Sequence, residues 1–152
     1  MFRGVSELSL DEKGRLAVPI RYRELLKLQA NGQCIITIDT EERCLLIYPM
    51  TEWEKIEKQI EALPSFNPLA RRVQRLLIGH ATEANLDGNG RMLVPPPLRD
   101  YASLQKEIVL IGQGRKFELW DAASWVVRRD LWLQKDLTTE SEIPSSLLAI
   151  SL

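Results

Sequence analysis

Leu10-Asp11-Glu12-Lys13-Gly14-Arg15-Leu16-Ala17-Val18-Pro19 is the first copy of a ten-residue segment that this chain contains twice. The second copy, Leu86-Asp87-Gly88-Asn89-Gly90-Arg91-Met92-Leu93-Val94-Pro95, begins 76 positions later and keeps Leu, Asp, Gly, Arg, Val and Pro at matching places. Arg23 and Arg99 continue the same register. A repeat this long is not a short solenoid unit, so it predicts two similar halves related by a pseudo-twofold axis.

Each copy has the residues of a tight turn that joins two strands and then leads into a helix. Asp11 can accept hydrogen bonds from backbone N–H groups, as short carboxylates do in turns. Gly14 and Gly90 supply the positive φ that a tight turn needs. Pro19 and Pro95 suit the first position of a helix, where a missing N–H costs little. The segment therefore predicts a strand, a turn, a short strand and a helix in each half.

The composition is that of a compact protein without a strong overall charge. The chain has 152 residues, 45% of them hydrophobic, and a formal net charge of −1. This length suffices for one compact domain, or two small fused ones, with a real core. A nearly neutral chain has no general attraction for polyanions. Nucleic-acid binding would therefore have to come from local arginines or from sites repeated in an oligomer.

Several other classes of protein are disfavoured. The chain has no run of about 18 apolar residues and no signal-peptide core at its start, so we expect a cytoplasmic protein without a membrane anchor. Cys34, Cys44 and the single His80 are too few for a four-ligand zinc site, and we interpret both cysteines as reduced core residues. The sequence shows neither a phosphate-binding glycine loop nor paired catalytic carboxylates. It predicts no enzyme, no cofactor and no small-molecule substrate.

The repeat divides the chain into two units joined by a helix. Each unit is predicted to run strand, strand, helix, strand, strand, helix. We expect a first unit with its C-terminal helix at residues 5–63, a connecting helix at 64–80, a second unit with its C-terminal helix at 81–135 and a flexible tail at 136–152.

Local signals predict where several elements begin or end. Residues 34–38 and 44–48 predict the strands of one hairpin, and Gly112-Gln113-Gly114 predicts the turn of its counterpart. Thr51-Glu52-Trp53-Glu54 predicts a capping box with Thr51 as the N-cap. Asn67-Pro68 predicts that Asn67 caps the connecting helix.

The two Leu-Asp-x-x-Gly-Arg-x-x-Val-Pro segments resemble those of the AbrB-like swapped-hairpin family. Three further segments make the chain most similar to the MraZ family within it, namely residues 1–4, 71–81 and 116–120. Together the motifs cover nearly the whole chain to about Trp125. A single Asp-x-x-x-Arg motif would carry no such information.

The resemblance implies both a fold and a function. The implied fold is α+β and mostly β, with two tandem AbrB-like swapped-hairpin units forming a pseudo-twofold β-barrel with flanking helices. The implied assembly is a homo-oligomer, a ring, that binds double-stranded DNA at direct repeats in a promoter. The implied role is a nucleoid-associated transcriptional regulator, usually a repressor, of the division and cell-wall gene cluster that begins with its own gene.

The family's proposed DNA-contacting elements are its Asp-x-x-x-Arg loops, which carry over here as residues 11–15 and 87–91. Lys13 is a further candidate for a phosphate contact, and Asn89 could either donate to phosphate or serve only as a turn residue. The intervening residues differ between the loops, so the loops need not contact DNA identically. The candidate DNA-binding residues are Asp11, Lys13, Arg15, Asp87, Asn89 and Arg91.

Each arginine of these loops allows two interpretations. Its guanidinium fork can bind phosphate, or O6 and N7 of guanine. It can also pair with the aspartate four residues earlier and simply lock the turn. The two interpretations are compatible, because the carboxylates would orient the arginines rather than touch DNA.

A second cluster, Arg71, Arg72 and Arg75, is either another basic patch or a solvated helix face that pairs with carboxylates across an interface. The competing hypothesis for the whole protein is a protein-binding scaffold or an antitoxin-like oligomeric module.

Overall fold

The computed structural model describes residues 1–135 and 143–151, so residues 136–142 and 152 of the predicted tail lie outside this description. Met1–Ala122 form one compact unit, and Ala123–Leu152 form another. The strands are β1 (Phe2–Ser9), β2 (Arg15–Ala17), β3 (Cys34–Ile38), β4 (Leu45–Pro49), β5 (Thr82–Glu83), β6 (Arg91–Leu93), β7 (Glu107–Gly114) and β8 (Phe117–Asp121). The helices are α1 (Ile20–Ala30), α2 (Met50–Glu61), α3 (Pro68–Val73), α4 (Pro96–Tyr101), α5 (Ala122–Gln134) and α6 (Ser145–Leu148).

The predicted α+β class with a predominance of strands is confirmed. A six-stranded antiparallel sheet has the order β1-β7-β8-β4-β3-β5, and a two-stranded sheet joins β2 to β6. In the described residues the edge strands β1 and β5 are not paired with each other, so hydrogen bonds do not close the larger sheet into the predicted barrel. One edge is short: β5 has two residues, and beyond it the N–H groups of Ala84 and Leu86 donate to the carbonyls of Cys34 and Gly32.

The strand order has the symmetry that the sequence repeat predicts. Replacing each strand by its counterpart in the other half, β1 by β5, β2 by β6, β3 by β7 and β4 by β8, reverses the order of the sheet and leaves it unchanged. The sheet therefore has equivalent halves on either side of the β4–β8 pair.

Both sheets contain strands from the two halves. β1 pairs with β7, β4 with β8, β3 with β5 and β2 with β6, so four pairings cross between the repeats. Within a repeat, β1 and β2 meet only at a single bridge from Leu10 to Leu16. Only the turn of the predicted local hairpin is therefore formed within the repeat, because β1 and β2 pair mainly with strands of the other half.

The buried side of the sheet carries a continuous apolar core that fixes these partners. Leu16 and Val18 of the first copy and Met92 and Val94 of the second are all buried in one cluster. Fully burying a side chain of this size contributes roughly 1.5–3 kcal/mol. A shift of β2 or β6 by one residue would expose these side chains, so the core holds the register in which the two copies meet.

The starts of α3 and α2 test two predictions of helix caps. Asn67 caps α3 as predicted, since its Oδ1 accepts from the N–H groups of Leu69 and Ala70. The predicted capping box at Thr51 is wrong: α2 begins at Met50, whose N–H donates to the carbonyl of Gln33, so the helix leaves β4 without a side-chain cap.

The hairpin turn of the second unit lies slightly later than predicted. Gly112 is part of β7 and pairs with Phe117, and the Gln113 N–H donates to the Lys116 carbonyl. Gly114 has a φ of +82° and stands at the first central position of this turn, where two-residue hairpins often require glycine.

The connecting helix changes its winding after α3. Residues Gln74–Ile78 form a π-helical turn, which leaves the backbone wider than in an α-helix. The hydroxyl of Thr37, fully buried on β3, donates to the Leu77 carbonyl at 2.6 Å. This bond ties the π-helical turn to the sheet.

Candidate nucleic-acid interface

The first loop, residues 11–15, is organised by the carboxylate of Asp11. Asp11 Oδ1 accepts from the backbone N–H groups of Lys13 and Arg15, both at 2.9 Å. Asp11 Oδ2 pairs with Arg15 Nε at 2.8 Å. The N–H of Gly14 donates to the Asp11 carbonyl at 3.0 Å, and Gly14 has the predicted positive φ of +82°. One carboxylate thus shapes the turn and orients the arginine.

The second loop, residues 87–91, repeats this arrangement. Asp87 Oδ1 accepts from the N–H groups of Asn89 and Arg91 at 2.8 and 2.9 Å. Arg91 Nε lies 3.4 Å from Asp87 Oδ2, which is an ion pair longer than its counterpart in the first loop. The two loops therefore share their backbone and differ in how closely the arginine is held.

These hydrogen bonds stabilise the ionised aspartates. The N–H of Arg15 is the largest cause that holds the pKa of Asp11 below its ordinary value, and the N–H of Arg91 does the same for the pKa of Asp87. Both carboxylates are therefore charged at neutral pH and act only as acceptors. Each carboxylate also contacts the side chain of the arginine in its own loop.

The two loops lie side by side. Arg91 Nη1 of the second loop is 4.0 Å from Asp11 Oδ2 of the first. The N–H of Val18 donates to the Gly90 carbonyl at 3.0 Å, and the N–H of Val94 donates to the Gly14 carbonyl at 2.9 Å. The two loops, which begin 76 positions apart in the chain, thus form one composite surface.

This surface is open to solvent. Asp11, Lys13, Asp87 and Asn89 are exposed in the described structure. The side chains of Arg15 and Arg91 keep 27% and 33% of their accessible surface, although each contacts its aspartate. Both interpretations of the arginines therefore fit the geometry, because a guanidinium can bind one carboxylate and still offer N–H groups outward.

Two further arginines belong to this surface and were not predicted as site residues. The side chain of Arg99, on α4, lies against Gly14 of the first loop, and the side chain of Arg23, on α1, lies against Gly90 of the second. The repeat register contains both positions, so the sequence carried a signal for them. The sequence did not show which of the two loops Arg23 or Arg99 would contact.

Other chemistries find less support in the described residues. No group of three or more His, Cys, Asp or Glu side chains is placed to hold a metal ion there. His80 Nδ1 is hydrogen-bonded to the Leu76 carbonyl, and both cysteines are buried. None of the described helices combines the length and the apolar character needed to cross a membrane.

Known proteins give a consistent comparison. Residues 1–76 and 77–139 match a family model described as "MraZ protein, putative antitoxin-like". A Halorhodospira halophila protein named Transcriptional regulator MraZ is 55% identical over 152 residues, which is the full length of both chains. Proteins of the same name from Coxiella burnetii and Legionella pneumophila are 52% and 48% identical, again over the full length of both chains.

Proposed function

Because the chain belongs to the MraZ family, a family of transcriptional regulators rather than enzymes, we propose that it is a sequence-specific DNA-binding transcriptional regulator. The observation that carries the proposal is the composite surface of the two Asp-x-x-x-Arg loops. Two guanidinium groups, each oriented by its own aspartate, stand beside each other and remain accessible to solvent.

The proposed contacts divide into two kinds. Arg15 and Arg91 present guanidinium forks that can bind guanine edges or phosphate oxygens bidentately. Lys13 and Asn89 are exposed at matching places in the two loops and can donate to phosphate. Asp11 and Asp87 hold the arginines and do not themselves meet the duplex.

The charge of the loops argues for binding by an assembly rather than by one chain. Residues 11–15 and 87–91 contain three cationic and three acidic side chains in total, so the loops have no net positive charge. We infer that a single chain binds duplex DNA weakly, and that a ring of chains binds successive direct repeats. Linked contacts of this kind can exceed single-site affinity by ~10²-fold or more through effective concentration.

Exposed apolar side chains support self-association. Phe66 is 97% exposed and Leu69 is 58% exposed, and both precede or belong to α3, outside the loop surface. These two side chains lie three positions apart in the chain, and exposed apolar surface of larger extent is typical of protein–protein contacts.

We propose the AbrB-like swapped-hairpin arrangement for the fold, supported by the pairing of β1 with β7 and of β2 with β6 across the repeats. We also propose that the protein represses the division and cell-wall cluster that begins with its own gene. Its binding sites would be direct repeats in the promoter of that cluster.

The test is a gel shift with the duplex upstream of the protein's own gene, compared with a shuffled duplex of equal length. The unchanged protein is expected to prefer the promoter. The double variant Arg15→Ala, Arg91→Ala is expected to keep its fold and lose at least about tenfold in affinity, because each good bidentate contact contributes about 1–3 kcal/mol.

A charge-matched control is Arg72→Ala, Arg75→Ala, which removes two exposed arginines from the connecting helix. Unchanged promoter affinity in the loop variant, or an equal loss in the control, would contradict the assignment of the loops. The family description favours one second candidate, an antitoxin-like module that binds a protein partner. That candidate predicts no preference for the promoter over the shuffled duplex.

A further inference from the structure

Arg23 and Arg99 occupy equivalent positions in the repeat and have unusual surroundings. Both are partly buried, and neither has a carboxylate within 4.0 Å among the described residues. Each guanidinium instead lies against the backbone of a glycine. This differs from Arg15 and Arg91, which are each held by an aspartate.

The contacts cross between the halves. A Cβ atom added to Gly14 would lie only 2.6–2.7 Å from the Cζ, Nε and Nη1 atoms of Arg99. A Cβ added to Gly90 would overlap the Nε, Cδ and Cζ atoms of Arg23. The arginine of each half therefore fills the space beside the loop of the other half, and the glycine leaves room for it.

Backbone hydrogen bonds extend one of these contacts. Arg23 Nε donates to the Val18 carbonyl at 2.5 Å, and the N–H of Val18 donates to the Gly90 carbonyl. Arg23 is thus joined to the second loop both by packing and through Val18. On the other side, Arg99 Nε is buried and has no hydrogen-bond partner among the described residues. Arg99 therefore meets the first loop mainly by packing.

We propose that Arg23 and Arg99 are reciprocal positioning residues: Arg99 holds the loop at residues 11–15, and Arg23 holds the loop at residues 87–91. Each half of the chain thereby orders the loop of the other. The consequence for DNA rests on the function proposed above, since a loop that is already ordered loses less conformational freedom on binding. The positioning itself does not depend on DNA.

Hydrogen exchange of the free protein tests the positioning directly. Arg99→Ala is expected to speed exchange of the Lys13 and Arg15 amides about tenfold and to leave the Asn89 and Arg91 amides near their unchanged rates. The variant R23A is expected to show the reverse. An effect on the loop of the same half, an equal effect on both loops, or no effect would overturn the proposal.

Two further variants separate positioning from charge and from general instability. The variant R99K keeps the positive charge but cannot lay a planar group over Gly14, so it is expected to exchange at the first loop as fast as R99A. Slow exchange in R99K would overturn the proposal. The variant R72A, on the exposed face of α3, is the control for general destabilisation and is expected to leave both loops unchanged.

The DNA measurement is kept separate from the exchange measurement. If the unchanged protein fails to bind its promoter, the proposed function fails while the exchange result still decides the positioning. If it binds, R23A and R99A are each expected to weaken promoter binding about threefold to tenfold. Unchanged affinity together with crossed exchange would overturn the part of the proposal that concerns DNA.

Discussion

Leu16 and Met92, which occupy the same position in the two copies of the repeat, are paired with each other in the two-stranded sheet. Equivalent residues can face each other in an antiparallel pair only where a twofold axis passes between them. The loop of the second hairpin is about four residues shorter, so residues beyond it correspond at an offset of 72. Leu46 and Glu118 are equivalent in this register, and they are also paired with each other in the β4–β8 pair. The axis passes beside the two Asp-x-x-x-Arg loops and brings them together.

Gly90 should not tolerate a side chain, whereas Gly88, two residues earlier, should. Gly90 has a φ of +72°, and a Cβ added to it would meet Arg23, whereas a Cβ added to Gly88 would have no atom outside its chain neighbours within 4 Å. We expect Gly90→Ala to lower the free energy of unfolding by about 1–2 kcal/mol, because a left-handed backbone is costly for a residue with a Cβ. Gly88→Ala should change it by less than about 0.5 kcal/mol. Urea unfolding measures both, and equal effects would contradict the assignment.

Thr37→Val should destabilise the protein by about 1–3 kcal/mol. Valine matches threonine in shape but cannot donate to the Leu77 carbonyl, which would then lose its partner in a buried place. Thr37→Ser keeps the hydroxyl and removes one methyl group, which should cost only about 0.8 kcal/mol. Thermal unfolding of the two variants gives the comparison, and a more stable valine variant would show that this hydrogen bond is unimportant.

Asp11 should titrate below 3.8, the ordinary value for an aspartate, in the folded protein. A lowered pKa in the folded state adds stability that is fully present above the pKa of the unfolded chain. This stability is lost as the pH falls through the folded pKa. The loops should therefore keep their structure at neutral pH and loosen only in acid. Carboxyl chemical shifts recorded against pH give the midpoint.

The variant Arg15→Ala sharpens this prediction. The largest cause of the lowered pKa of Asp11 is the backbone N–H of residue 15, which the substitution retains. Asp11 should still titrate below its ordinary value in this variant. A return to 3.8 would mean that the guanidinium, and not the backbone, controls the carboxylate.

The two thiols should be inert in the folded protein. Burial raises the pKa of Cys34 to about 12, and burial together with the charge of Glu118 also raises the pKa of Cys44. Because the thiolate is the reactive form, a thiol reagent at pH 8 should label neither cysteine until the protein unfolds. Labelling followed by mass spectrometry, with and without urea, measures this. Rapid labelling without urea would contradict the buried environment.

Promoter binding should weaken with salt in proportion to the phosphates contacted. Each neutralised phosphate contributes about −0.9 to the slope of log affinity against log salt. Lys13→Ala should therefore make the slope less negative by about one for each subunit bound. Lys55→Ala, on α2, removes a lysine that pairs with Glu52 and serves as the control. Equal slopes for Lys13→Ala and the unchanged protein would remove Lys13 from the proposed contacts.

The loop conformation could be predicted from the sequence because its causes are local. An aspartate that accepts N–H groups two and four residues later and a glycine with positive φ depend only on neighbours along the chain. The same holds for Asn67, whose side chain caps the helix that begins at the next residue. In each case, hydrogen bonds between residues at most four positions apart were sufficient for the prediction.

The partners of the strands and of the arginines could not be predicted in this way. β1 lies beside β7 because the core favours it, and that core is assembled from both halves. The contact between Arg99 and Gly14 spans 85 positions, and no spacing rule reaches so far. The prediction of the capping box was wrong for a related reason: α2 begins two residues earlier than predicted, where the N–H of Met50 donates to the distant Gln33 carbonyl.

The differences between the two loops make the surface that they form asymmetric. A dimer of identical chains shows a duplex the same face from either end, so its natural target is a palindrome. Here one loop carries Glu12-Lys13 where the other carries Gly88-Asn89, and only the first arginine is held tightly by its aspartate. Because the two halves belong to one chain, their loops can differ. The resulting asymmetric surface can bind DNA in one orientation, as binding sites arranged as direct repeats require.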